Sequence, residues 1–218
     1  MSDAESTSSS DTSHRSYDHD VTPPARKRPK PGERRAQILQ ALVGMLEQSG
    51  AERITTAALA ARLEVSEAAL YRHFASKAQM FEGLIDFIEQ SVFSLVNQIV
   101  VREEACGVRQ AAKVVAMVMQ FAEKNPGMSR VMVGDALVFE NERLQQRMNQ
   151  FFDKIEATLK QSLRSVADLS GSATPSVDTQ VQAGVLTAFL VGRLQRFARS
   201  SFKRLPSEHL EASLALIL

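Results

Sequence analysis

A single cysteine, Cys106, stands in 218 residues. One thiol closes no intrachain disulfide and builds no zinc cluster, and a chain without disulfides suits a reducing compartment. Histidine is scarce as well. Of His14, His19, His73 and His209, two fall near the start and none forms the i, i+4 pair that holds a metal on a helix face. No glycine-rich phosphate loop occurs, and no nucleophile, base and orienting group stand in a pattern that group transfer would need. The chain does not read as an enzyme, and no catalytic residue, metal or cofactor is expected. No apolar run approaches the ~20 residues that span a bilayer, so no membrane partner is expected. The Ser- and Asp-rich start lacks the apolar stretch of a secretory signal. Charge of one sign is missing too. The formal net charge is +1, so the total is silent about nucleic acid and the distribution has to speak.

Asp3, Glu5, Asp11, Asp18 and Asp20 load the start with acid, and Arg26, Lys27, Arg28, Lys30, Arg34 and Arg35 follow as a basic block. Residues 1–31 are rich in Ser, Thr, Asp and Pro and poor in large apolar side chains. They cannot offset their ordering entropy and read as a disordered tail, acidic first and basic after. The basic block has two readings, docking on a DNA backbone or plain solvation. Hydrophobic residues make up 44% of the chain, enough for a core in one large or two small domains.

The stretch 54–77, ITTAALAARLEVSEAALYRHFASK, organises the rest. It reads as two short helices and a tight turn. Thr55 caps the first, with Leu59, Ala60 and Leu63 inward. Glu64 and Val65 make the turn, Val65 filling the space between the helices. Ser66 caps the second helix, which runs from Glu67 to Phe74. Leu70 and Phe74, four apart, share its buried face, leaving Ala68, Ala69, Tyr71, Arg72 and His73 outside. That is the plan of a helix-turn-helix whose second helix enters a DNA major groove. A generic helical hairpin would show the same apolar spacing; the two caps, the turn and the lysine beyond agree on the DNA reading. Small residues let the backbone approach a duplex, and a capped N-terminus aims its N–H groups at phosphate. Thr55, Thr56, Ala57, Tyr71 and Lys77 are expected on the phosphate backbone. Ser66, Glu67, Ala68 and Ala69 are expected at base edges or adjacent phosphate, and Arg72 at either. His73 is expected to touch phosphate or base, or to pack at the helix end.

Helical periodicity continues on both sides. Glu33–Ser49 carries Ile38, Leu39, Leu42, Val43 and Leu46 and stops at Gly50, completing a three-helix unit. Ser76 opens a helix from Lys77 to about Arg102, with a stripe of Phe81, Leu84, Ile85, Ile88, Val92, Leu95, Val96 and Ile99. At about 100° per residue, Phe87 and Met80 fall on its flank. An aromatic there serves a neighbouring helix, another subunit or a partner protein. Glu103-Glu104 reads as a solvated break. Val108–Glu123 is apolar nearly all round, which predicts a central, buried helix. Asn125-Pro126-Gly127 is a stop. Helix resumes over Met128–Phe139 and again, strongly amphipathic, over Asn141–Val166. Met117, Met119, Met128 and Met132 are core or the lining of an adaptable pocket. After a loop over Asp168–Pro175, Val177–Phe202 carries two apolar faces. Leu186, Leu190, Leu194 and Phe197 make one; Val181, Val185, Ala188 and Phe189 make the other. One face suffices for the chain's own core. The second, with Gly184, Gly192 and a helix over Pro206–Leu218, suits a four-helix interface with a second copy.

Tyr71-Arg72-His73-Phe74, Ser76-Lys77 and the long helix after them resemble the TetR family of dimeric DNA-binding proteins, from about Arg34 to the C-terminus. The resemblance implies an all-α fold: a tail over 1–31, a helix-turn-helix domain over 32–77, and a helical regulatory and dimerisation domain over 78–218. Residues 54–91 and 125–164 are similar to a subgroup of that family that binds palindromic sites spread over the chromosome. When DNA-bound, the subgroup engages the tubulin-like division protein FtsZ and blocks its ring over the nucleoid. This implies a homodimer in the cytoplasm on the nucleoid, with double-stranded DNA and FtsZ as partners and no small-molecule inducer. The FtsZ-binding region of the subgroup is matched here by Phe87, Lys124 and Asn125. The long tail departs from the subgroup. The alternative is a ligand-responsive repressor, which needs a pocket in its regulatory domain.

Overall fold

The computed structural model describes residues 32–48, 53–103, 106–169 and 173–218, the side chains of 165–169 excepted. The tail, Ser49 and Gly50, Glu104 and the middle of the loop before Pro175 lie outside them. Among the described residues every regular element is helical. α1 (Glu33–Leu46), α2 (Thr56–Arg62) and α3 (Glu67–Tyr71) make the first unit. α4 (Lys77–Arg102) leads into α5 (Gly107–Lys124), α6 (Pro126–Met132), α7 (Glu142–Leu169), α8 (Pro175–Arg199) and α9 (Leu210–Ile217).

Hydroxyl caps set the helix starts in the first unit. The Thr55 hydroxyl accepts from the Ala58 N–H at 3.1 Å, and the Ser66 hydroxyl from the Ala69 N–H at 3.3 Å. Between them Glu64 takes a φ of 54°, and the Val65 N–H returns to the Ala60 carbonyl at 3.0 Å. Ile38, Leu42, Leu46, Leu59, Leu70 and Phe74 are buried together. α3 is shorter than its spacing predicts. It ends at Tyr71, and the His73 and Phe74 N–H groups both donate to the Leu70 carbonyl. That tightening turns the chain towards Ser76, whose hydroxyl caps α4 by accepting from the Gln79 N–H at 3.2 Å.

α4 has the predicted bounds and, with two exceptions, the predicted stripe. Met80, expected on the flank, is fully buried, and Leu95, expected in the stripe, is exposed. The helix touches α1, α5, α6 and α7, so its buried sector is wider than that of a helix covered from one side. Its length and apolar content alone would suffice to cross a bilayer, contrary to the sequence expectation, but Phe81, Leu84, Ile85, Ile88, Val92 and Val96 are packed in the core. Its acidic flank is paired with α7. Arg143 meets Glu82 at 2.5 Å, Arg147 meets Glu89 at 2.5 Å and Asp86 at 2.9 Å, and Lys154 lies 3.8 Å from Glu89. Partial burial pulls the Arg147 guanidinium down, but the two carboxylates outweigh it and hold it above its ordinary value.

Glu103, read as part of a solvated break with Glu104, is half-buried and paired. Glu103 pairs with Lys113 and lies 3.8 Å from Arg109, both on α5. The Lys113 hydrogen bond, against a smaller cost of burial, holds the Glu103 carboxyl below the usual carboxylate range. Cys106, half-buried, precedes α5, and Val114, Val115, Val118 and Met119 make α5 a buried centre. Asn125-Pro126-Gly127 ends α5 but does not separate it from the next helix. Pro126 is already the first residue of α6, where its missing N–H costs nothing. α6 stops at Gly134, φ 84°. Only a 3-10 turn over Asp135–Leu137 follows, and Val138 and Phe139, expected on a helix, are each 68% exposed.

α7 and α8 pack against each other along their lengths. Leu186, Leu190, Leu194 and Phe197 of α8 are buried, while Val177, Val181 and Val185 are exposed. Of the second face read from the sequence, Val181, Val185 and Ala188 are exposed and Phe189 is half-buried against the core, so the chain covers one face and leaves most of the other open. The terminal helix is confined to α9, with turns over 206–209. One contiguous apolar core runs from Ile38 in the first unit to Leu214 in the last.

Candidate nucleic-acid interface and the adjoining cleft

α2 and α3 begin side by side. The Thr56 hydroxyl donates to the Glu67 carboxylate at 2.6 Å, which ties the two N-terminal turns across the helix-turn-helix. Thr55, Ala57, Ser66, Glu67 and Ala68 are exposed around this tie, with Thr56 and Ala69 half-buried. Two capped N-terminal turns and a rim of small side chains are thus brought together, a surface to which a polyanion can come close. Glu67 is already engaged by Thr56 when it presents its carboxylate there. Tyr71 is 45% exposed and Arg72 is exposed.

The C-terminal end of α3 is held from α1. The Arg35 guanidinium donates to the His73 carbonyl and lies 4.1 Å from the centroid of the buried Phe74 ring. Arg35 therefore cancels part of the negative end of α3 and anchors it by cation–π contact. Sequence reasoning placed Arg35 only in the basic block; no local spacing links it to residues 73 and 74. His73 is half-buried at this joint.

Lys77, expected on the phosphate backbone, has an intramolecular partner. Its ammonium is paired with Glu140, from the segment before α7, and lies 5.8 Å from the Phe81 ring centroid. Glu140 was not among the residues singled out from the sequence, since it lies far along the chain in the other domain.

An apolar cleft of about 410 Å³ is walled by Leu39 and Val43 of α1, Leu84 and Phe87 of α4, and Asn125 and Met128 at the start of α6. Phe87 is 48% exposed. The Asn125 side-chain amide donates to the Phe121 carbonyl at 2.8 Å, which fixes its orientation. Two of the three residues expected at a partner surface, Phe87 and Asn125, are thus brought to one cleft. Lys124 is exposed at the last residue of α5, beside Asn125 and outside the cleft lining. The four methionines form no common lining: Met119 and Met132 are fully buried in the core, and Met128 reaches the cleft.

A capped helix-turn-helix fused by α4 to a helical second domain is the architecture of a TetR-type DNA-binding regulator. Solved structures agree on the fold. The transcriptional regulator FadR from Bacillus subtilis, in complex with stearoyl-CoA, is similar at a TM-score of 0.65 and 16% identity, over 84% of this chain and 96% of that one. The TetR family regulator PfmR from Thermus thermophilus is similar at 0.66 and 19%, over 84% and 95%. The family model "Bacterial regulatory proteins, tetR family" matches residues 38–84. The SlmA-like model "Tetracyclin repressor-like, C-terminal domain" matches residues 107–218. Two curated relatives carry the name nucleoid occlusion factor SlmA. The one from Marinomonas sp. is 51% identical over 82% of this chain and 90% of its own; the one from Vibrio cholerae is 50% identical over 84% and 93%. The chain belongs to the SlmA family of nucleoid occlusion factors, a DNA-binding branch of the TetR family.

Proposed function

We propose that this protein is a nucleoid occlusion factor that works as a DNA-activated antagonist of FtsZ. A homodimer presents α3 twice, about one helical turn of duplex or a multiple of it apart, and so calls for a palindromic site. Thr55, Thr56, Ala57, Tyr71 and Lys77 meet backbone. Ser66, Glu67, Ala68 and Ala69 meet base edges or neighbouring phosphate, with Arg72 and His73 at the groove margin. The exposed Val177, Val181 and Val185 stripe of α8 supports the homodimer, because a second copy of the same stripe would cover it.

The observation that carries the FtsZ reading is the cleft joining Phe87 to Asn125. Its size and apolar walls suit a few side chains of an extended peptide better than a broad folded surface. Its α1 wall also packs on α2 and braces α3 through Arg35. DNA contact and peptide binding therefore share an element. Activation then means that DNA favours the arrangement of α1 to which FtsZ also binds more tightly. Such a protein acts in the cytoplasm, on the nucleoid, at its scattered sites.

The test is FtsZ polymer assembly followed by light scattering, with the protein alone, with unrelated duplex, and with duplex carrying a mapped binding site. Assembly is expected to fall with the protein and its site together. Unchanged assembly at verified saturation of the site overturns the reading. A ligand-responsive repressor would instead release DNA to a small molecule.

A further inference from the structure

We propose that Glu140 is an intramolecular stand-in for a DNA phosphate, and that its hold on Lys77 lowers the affinity for DNA and the share of that affinity carried by phosphate charge. The inference rests on the reading of Lys77 as a backbone contact.

Lys77 is the first residue of α4, directly after the Ser76 cap and the turn that closes α3. No other cation from the α3–α4 turn appears in the ion pairs among the described residues, and its partner comes from a segment 63 residues further along the chain. The Lys77 side chain is 24% exposed and the Glu140 side chain 11% exposed. A phosphate that takes the ammonium must leave that carboxylate without its cation in a mostly desolvated place, which costs more than breaking an open surface pair. That cost falls on any duplex whose backbone takes Lys77, whether or not its bases match α3. Glu140 therefore weakens mapped and unrelated duplexes by about the same factor and withholds one phosphate contact from both.

The position of Glu140 adds a second consequence. It follows Val138 and Phe139, each 68% exposed, and precedes the α7 ladder to α4. When phosphate takes Lys77, this apolar segment loses its tether to the DNA-reading unit. A contact made on DNA is thereby registered on the surface of the second domain.

The experiment is anisotropy titration of the full chain against a mapped site and an unrelated duplex of equal length, at several salt concentrations. Wild type, Lys77→Gln, Glu140→Gln and the double variant are compared, each checked by thermal melting. Glu140→Gln is expected to tighten both duplexes by roughly threefold to tenfold and to steepen their log–log salt slopes by up to about 0.9. Lys77→Gln added to Glu140→Gln is expected to take both gains away. If Lys77→Gln alone flattens the slope while Glu140→Gln changes neither slope nor affinity, the stand-in role is overturned and the backbone role of Lys77 survives. If Lys77→Gln leaves the slope unchanged in both backgrounds, both are overturned. Should Glu140→Gln melt early, Glu140→Asp, which withdraws the carboxylate by one methylene, is expected to move affinity and slope the same way; an Asp variant that matches wild type in both overturns the proposal.

Discussion

The carbonyl oxygen of Val43 lies so close to Gly127 that a Cβ on residue 127 would stand 2.3 Å from it. α1 of the DNA-reading unit and α6 of the second domain therefore meet at a point where only hydrogen fits. Gly127→Ala is expected to push α6 off α1 and to lower stability by about 1–3 kcal/mol, the usual range for overpacking. Urea unfolding reads this directly; a variant as stable as the parent would show that the contact yields.

Phe87 presents half of its ring to solvent in the cleft. Phe87→Ala is expected to change stability by less than about 0.5 kcal/mol, as for an ordinary surface site, and to leave DNA affinity intact while weakening FtsZ binding. Thermal melting, DNA titration and FtsZ co-sedimentation separate these outcomes. A large drop in the melting temperature would place Phe87 in the core instead.

The α8 stripe carries the dimer expectation. Val181→Asp puts a charge where a second copy would lie and touches no residue of the buried α8 face. It is expected to give a folded, helical, single subunit by sedimentation and circular dichroism. A dimer that persists unchanged would move the interface elsewhere.

Removing one hydroxyl tests the backbone role of Tyr71. Tyr71→Phe is expected to weaken a mapped site and its single-base variants by the same factor, equivalent to about 0.5–1.5 kcal/mol for one hydrogen bond. A loss confined to one base pair would make Tyr71 a base reader.

Ser66→Ala removes the hydroxyl that accepts from the Ala69 N–H. Loss of such a cap costs about 1 kcal/mol. The measurable outcome is a lower unfolding midpoint together with weaker DNA binding, because α3 is so short that its first turn is most of the helix.

Local signals were legible in the sequence and distant ones were not. Thr55, Ser66 and Ser76 cap the helices that their spacing announces, and α4 keeps its bounds because cap and stripe both lie within it. The wheel misplaced Met80 and Leu95 because it knows the period of a helix but not how many neighbours surround it. Arg35 on the end of α3 and Glu140 on Lys77 depend on segments far apart in the chain, and a charge carries no periodic mark of its partner. Phe87 showed the opposite case. An aromatic off the stripe was visible without a structure; no periodicity linked it to Asn125, which only the resemblance placed beside it and which lines the same cleft.

Cys106 is the chain's lone thiol, half-buried where α4 hands over to α5. A spin label or dye attached there needs no background cysteine removed. In a two-fold assembly it would report one intersubunit separation, and a change of that separation on adding duplex would measure, in ångströms, how far DNA occupancy travels into the second domain.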